Sequence, residues 1–114
     1  MSDCIFCKIV EGAIPAQKIY EDDEFLAFYD LAPQSTRHFL VIPKKHIANI
    51  MECTEEDSGL LGRLLWRAQK IAVELGLGDR GARFVINCKE DGSQTVPHLH
   101  LHVLGGRVMG WPPG

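Results

Sequence analysis

The segment that most constrains the fold is His98-Leu99-His100-Leu101-His102-Val103-Leu104, where three of the chain's five histidines recur at every second position and aliphatic residues fill the positions between. Strict alternation is the period of a β-strand. Side chains at i, i+2 and i+4 share a face, so the spacing predicts a row of imidazoles ~6–7 Å apart with Leu99, Leu101 and Val103 buried behind them. A single such histidine would read as a satisfied polar residue. Three in register each carry a desolvation cost unless hydrogen bonded or liganded, which points to a site.

The remaining elements supply a scaffold for that strand. Residues 17–21 and 24–29 are strand-like around the turn formers Asp22 and Asp23, which predicts a hairpin. Residues 38–43 form a third, nearly continuous apolar strand ended by Pro43, and residues 83–87 a fourth. From Thr54 the period becomes 3.6: Leu60, Leu61, Leu64, Leu65, Ala68, Ile71, Ala72 and Leu75 make one stripe of a long helix, with Thr54 and Asp57 as a capping pair and Gly76 as its stop. Cys4-Ile-Phe-Cys7 running to Gly12 suits a short N-terminal helix. Cys53 and Cys88 read as packing residues. Four or five strands in sequence with one long helix give an α+β fold with an antiparallel meander.

With 114 residues, 46% of them hydrophobic and 24% charged, the chain has room for a single domain over 1–114. Its tail, 105–114, holds Pro112 and Pro113, which exclude a ladder strand, yet Met109 and Trp111 are too apolar to stay in water, so the tail should dock. A formal charge of −3 leaves no basic footprint for nucleic acid or an anionic membrane. No apolar run approaches the ~20 residues that span a bilayer, and the start lacks the pattern of a secretory signal. A cytoplasmic protein whose cysteines are thiols or metal ligands is the expectation.

Two chemistries suit a row of imidazoles. His-x-His can place nitrogens on a metal ion; alternatively, one neutral imidazole attacks an electrophile while its neighbours donate and relay protons. Phosphorus is the natural electrophile for a histidine, and the loop Asp91-Gly-Ser-Gln-Thr95 offers N–H groups and a hydroxyl for its oxygens. Cys4 and Cys7 are half of a tetrahedral zinc shell, with His46 and His98 as candidates for the other half; the alternative is a pair of free buried thiols.

The H-φ-H-φ-H-φ-φ pattern of residues 98–104 resembles the histidine triad superfamily. Ile5-Phe6, Ile14-Pro-Ala16, Asp30, Pro33-Gln34, His38-Phe-Leu-Val-Ile-Pro-Lys-Lys-His46, Asn87, Asp91-Gly92 and Gly105-Gly-Arg107 through Trp111-Pro-Pro-Gly114 look like its histidine triad nucleotide-binding branch, nearly end to end. The resemblance implies a homodimer whose sheets join into one, and a purine nucleoside phosphoramidase acting on AMP-type substrates without a catalytic metal. By position, His100 is the nucleophile, with His102 and His38 completing its hydrogen-bond network and Thr95 donating to the phosphate or the leaving nitrogen. Asn87 and backbone groups of Ser93 and Gln94 match phosphate contacts. Asp30 matches the carboxylate for the ribose hydroxyls, with Leu31 beside it. Ile5, Phe6, Ile9, Phe28 and Leu40 would wall the base slot, and Trp111 would reach the partner's site. Cys4, Cys7, His46 and His98 resemble a structural zinc set. Ser93, Thr95 and Gly110 depart from residues common in the family. A non-catalytic AMP-binding module and a dinucleoside polyphosphate hydrolase share the motif and stand as alternatives.

Overall fold

A five-stranded antiparallel sheet is the middle layer of the computed structural model, which describes residues 3–114. Its strands are β1 (Lys18–Glu21), β2 (Phe25–Tyr29), β3 (Arg37–Pro43), β4 (Ala82–Val85) and β5 (Leu101–Gly105). Helix α1 (Ile5–Glu11) precedes them, and α2 (Ser58–Glu74) lies between β3 and β4. Gly12, in the left-handed region at φ 84°, caps α1, and the Thr54–Asp57 capping box opens the turn that leads into α2.

Alternation along β2 and β3 assigns their side chains to two cores. Phe25, Ala27, Phe39 and Val41 pack with Leu99, Leu101 and Val103 against Leu64, Ala68 and Ile71 of α2. Leu26, Phe28, Leu40 and Ile42 face the other way, against Phe6, Cys7 and Ile9 of α1. A strand covered on both faces reads as a continuous apolar run, as β3 does. Each fully buried aliphatic side chain contributes about 1.5–3 kcal/mol, so the α2 face carries much of the stability.

Two expectations need correction. The meander holds only through β3; α2 then crosses the sheet, and β5 returns between β3 and β4, giving the order β1-β2-β3-β5-β4. Val103 of β5 is fully buried whereas Phe84 of β4 is exposed, so the more apolar strand takes the centre and β4 the edge. The histidine strand is also shorter than its pattern. Ladder pairing begins at Leu101, because the His98 N–H donates to the Val96 carbonyl (2.8 Å) and the Leu99 N–H to the Ile47 carbonyl (2.6 Å). His98 and His100 therefore lie on the approach to the strand, still alternating with the core residue Leu99. Among the described residues no helix is long and apolar enough to cross a membrane.

Candidate functional site

The histidines sit on the α1 side of the sheet, and fixed main-chain groups decide which nitrogen of each carries the proton. A carbonyl only accepts and a backbone N–H only donates. His98 Nε2 lies 2.8 Å from the Pro43 carbonyl, so that nitrogen is protonated and Nδ1 presents a lone pair. His100 is the reverse: Nδ1–H donates to the His98 carbonyl at 2.8 Å, leaving the lone pair on Nε2. His38 Nδ1 accepts the Gln34 N–H at 3.1 Å, so its proton is on Nε2, which donates to His102 Nδ1 at 3.0 Å. His102 must then carry its own proton on Nε2.

Burial holds all four rings neutral. It draws His38, His98 and His100 below the ordinary imidazole range. Burial, with His100 and His38 as neighbours, brings His102 down to about 4. Asp30 Oδ2 stands 3.4 Å from His38 Nε2 and 4.0 Å from His102 Nδ1, but with neutral rings these are dipolar contacts rather than ion pairs. Its other oxygen accepts the Ala32 N–H at 2.8 Å.

A cavity of about 220 Å³ opens beside these groups. Of the residues expected from the sequence, Ile5, Phe6, Ile9, Phe28, Asp30, Leu31, Leu40, Thr95, His100 and His102 line it. Ile14, Pro15, Ala16, Tyr29 and Val96 line it too and were missed; an apolar Ile-Pro-Ala run just past the α1 stop was the available signal. Phe6 meets His100 edge-on, with ring centroids 5.2 Å apart at 89°, and fixes one wall against the nucleophile candidate. A larger cleft of about 690 Å³ lies by the start of β4, but its lining has no histidine, cysteine or carboxylate.

Five expected residues do not line the cavity of the single chain: His38, which reaches it only through its hydrogen bond to His102, and Asn87, Ser93, Gln94 and Trp111. The Ser93 and Gln94 N–H groups, expected to face a phosphate, donate to the Glu90 and Lys89 carbonyls at 3.0 Å each. The Gln94 amide is engaged as well, donating to the Ala48 and Val96 carbonyls and accepting the Lys89 N–H. Trp111 is 83% exposed.

Two groups of possible metal ligands occur among the described residues. In the first, His98 Nδ1 lies 3.2 Å from Cys4 Sγ, 3.6 Å from Cys7 Sγ and 3.2 Å from His46 Nδ1, and Cys7 Sγ lies 3.4 Å from His46 Nδ1. Tetrahedral zinc with ordinary bond lengths sets N···N at ~3.3 Å and S···N at ~3.6 Å, so this set fits the ion. Cys4 also caps α1, accepting the Cys7 N–H, while burial and the Cys4 side chain push the Cys7 thiol up to about 11, a proton that a cation displaces. The second group, Asp30, His38 and His102, does not fit. Its shared corner is the protonated Nε2 of His38, and the Gln34 N–H blocks that proton from moving to Nδ1.

Comparison with known proteins follows the same lines. A family model described as scavenger mRNA decapping enzyme C-term binding matches residues 3–110. The chain is similar to a HIT family hydrolase from Legionella pneumophila Philadelphia 1, at 52% identity and TM-score 0.96 over 98% of this chain and 100% of that one. It is also similar to a histidine triad nucleotide-binding protein from Candida albicans (30% identity, TM-score 0.82, 96% and 83% of the two chains). A Zn-bound histidine triad family protein from Mycobacterium smegmatis is 39% identical, with TM-score 0.79 over 93% and 76% of the chains. With its three alternating histidines on a sheet of this topology, the chain belongs to the histidine triad superfamily.

Proposed function

We propose that this histidine triad protein is a purine nucleoside phosphoramidase that cleaves the P–N bond of adenosine 5′-phosphoramidate and related AMP conjugates through a nucleotidyl-histidine. The observation that carries this reading is the His100 tautomer: Nδ1–H is pinned to the His98 carbonyl, leaving an Nε2 lone pair on a residue that lines the cavity. In the first step that lone pair forms a bond to the α-phosphorus, and the P–N electron pair returns to nitrogen. The amine leaves with a proton drawn from solvent, since His38 and His102, both neutral, have no proton to give up outright. Positive charge gathered on the His100 ring is stabilised through Nδ1–H by the carbonyl. In the second step water attacks phosphorus, the N–P pair returns to Nε2, the surplus proton goes back to solvent and AMP leaves.

The His102 Nε2–H and the Thr95 hydroxyl donate to the phosphoryl oxygens. Asn87 is the further phosphate contact, whereas the N–H groups of Ser93 and Gln94 are engaged within their own loop. Asp30 takes the ribose hydroxyls with the oxygen left free by Ala32, next to Leu31. Ile5, Phe6, Ile9, Phe28 and Leu40 form the base slot, whose apolar walls suit a purine.

Cys4, Cys7, His46 and His98 hold a structural zinc, a reading supported by their spacing and by the zinc in the mycobacterial relative. With all four positions filled by protein, the ion ties α1 to the sheet and leaves His100 and His102 for chemistry. Exposed Leu65, Trp66 and Val73 on α2, with Phe84 on the edge strand β4, support a homodimer in which Trp111 reaches the partner's site. The free cysteines suit a cytoplasmic location.

Turnover of adenosine 5′-phosphoramidate by the native chain and by His100→Ala tests the proposal. A loss of about 10³-fold or more in kcat with AMP affinity retained is expected. AMP binding without turnover in either protein would leave a nucleotide-binding module instead.

A further inference from the structure

We infer that Arg107 and Gln34 are positioning residues: the Gly106–Arg107 turn holds the main chain of Gln34 so that its N–H locks the His38 ring, and through it His102, into the Nε2-protonated form. The function of that proton rests on the phosphoramidase reading; its location does not.

The chain of contacts is continuous. Arg107 Nε donates to the Gln34 carbonyl at 3.1 Å. The Gln34 N–H donates to His38 Nδ1 at 3.1 Å, and His38 Nε2–H to His102 Nδ1 at 3.0 Å. Packing supplies a second tie. Gly106 is at φ 95°, and a Cβ there would lie 2.7 Å from Thr36 Cβ, so the turn rests closely on the loop that carries Gln34. The Gln34 side chain bends back to donate to the Ala32 carbonyl at 2.9 Å, bracing the loop from within.

The lock matters because an imidazole exchanges its two tautomers at little cost unless a neighbour forbids one. Were Gln34 to swing away, His38 could carry its proton on Nδ1 and accept with Nε2. His102 would then be free to protonate Nδ1 and turn a bare Nε2 lone pair toward the cavity, where it would repel an anionic phosphoryl group instead of donating to it. Arg107, distant in sequence from His38 and just past the end of the His102 strand, lines no part of the nucleotide cavity, so its effect falls on orientation rather than on binding.

Long-range ¹H–¹⁵N correlation of the histidine rings, in the full chain labelled with ¹⁵N, reads the tautomers directly and needs no substrate. In the native chain His38 and His102 should each show a protonated Nε2 and a bare Nδ1. In Arg107→Ala the His38 signals should move toward a mixture, with kcat on adenosine 5′-phosphoramidate lower by about tenfold and KM unchanged. Arg107→Lys, which keeps the charge but lacks the Nε–H, should shift both readouts the same way by less. Gln34→Ala keeps the main-chain N–H and should leave the His38 tautomer in place. A native His38 protonated on Nδ1, or ring signals unmoved in both Arg107 variants, overturns the inference. Ring shifts as expected in a chain with no turnover at all would leave it standing and remove the phosphoramidase reading instead.

Discussion

The cysteine–histidine cluster and the nucleotide cavity draw on histidines two residues apart, yet they end with opposite properties. His98 gives its Nε2 proton to Pro43 and turns a lone pair onto two sulfurs and an imidazole, a saturated and closed set. His100 gives its Nδ1 proton to His98 and turns its lone pair toward a cavity. The residue type is the same and both rings are buried; only the position of one carbonyl differs. Main-chain acceptors, rather than the histidines themselves, thus decide which ring nitrogen faces the cysteines and which faces the cavity.

The largest effect should come where the two centres meet. His98→Ala removes a ligand and the ring that braces Pro43, so metal content should fall to near zero, stability by about 3–5 kcal/mol and turnover by about 10²-fold. Metal analysis, denaturant unfolding and kinetics on one preparation would check this, and full turnover without metal would break the link between the centres. The double change Cys4→Ser and Cys7→Ser should divide them. It removes the metal and loosens α1, destabilising by about 2–4 kcal/mol and weakening AMP binding through Ile5, Phe6 and Ile9, while the His100 carbonyl contact and most of kcat survive.

Acidity sharpens the same contrast, most cleanly in that chain lacking Cys4 and Cys7. His102 has a folded value of about 4 against an ordinary 6.5, so the unfolded chain takes up protons that the folded one refuses. The His102 contribution to stability should be full above pH 6.5 and be lost as pH drops toward about 4; His38 and His100 shift in the same direction, and Asp22 and Asp57, held below the ordinary carboxylate range by their hydrogen bonds, extend the loss to lower pH. Unfolding midpoints across that range would show it, and a rise toward acid would contradict neutral rings. The smallest effect concerns Ser93, which adopts φ 57° where glycine is at ease. Ser93→Gly should stabilise by up to about 1 kcal/mol with metal content unchanged, measured as a shift in unfolding midpoint.

Much of this was legible in the chain. The alternation at 98–104, the Thr54–Asp57 capping pair and the α2 stripe are local patterns, and local physics forms them. The strand order was not, because it depends on competition among β3, β4 and β5 for a central place, which no single segment records. Nor were the groups that set the tautomers: the carbonyls of Pro43 and His98 and the N–H of Gln34 belong to the main chain and leave no mark in side-chain type. The same holds for the loop before the histidine strand, where the Ser93 and Gln94 amides close the loop on itself, a main-chain pairing that residue type does not record.

His98 engages both ring nitrogens and its own carbonyl at once. An engineer who wished to abolish the proposed metal site could not trade that residue for a filler of similar bulk, since the substitute would have to clasp Pro43, satisfy a vacated polar chamber and keep the peptide plane aimed at the next imidazole. The cysteines are the cheaper place to cut.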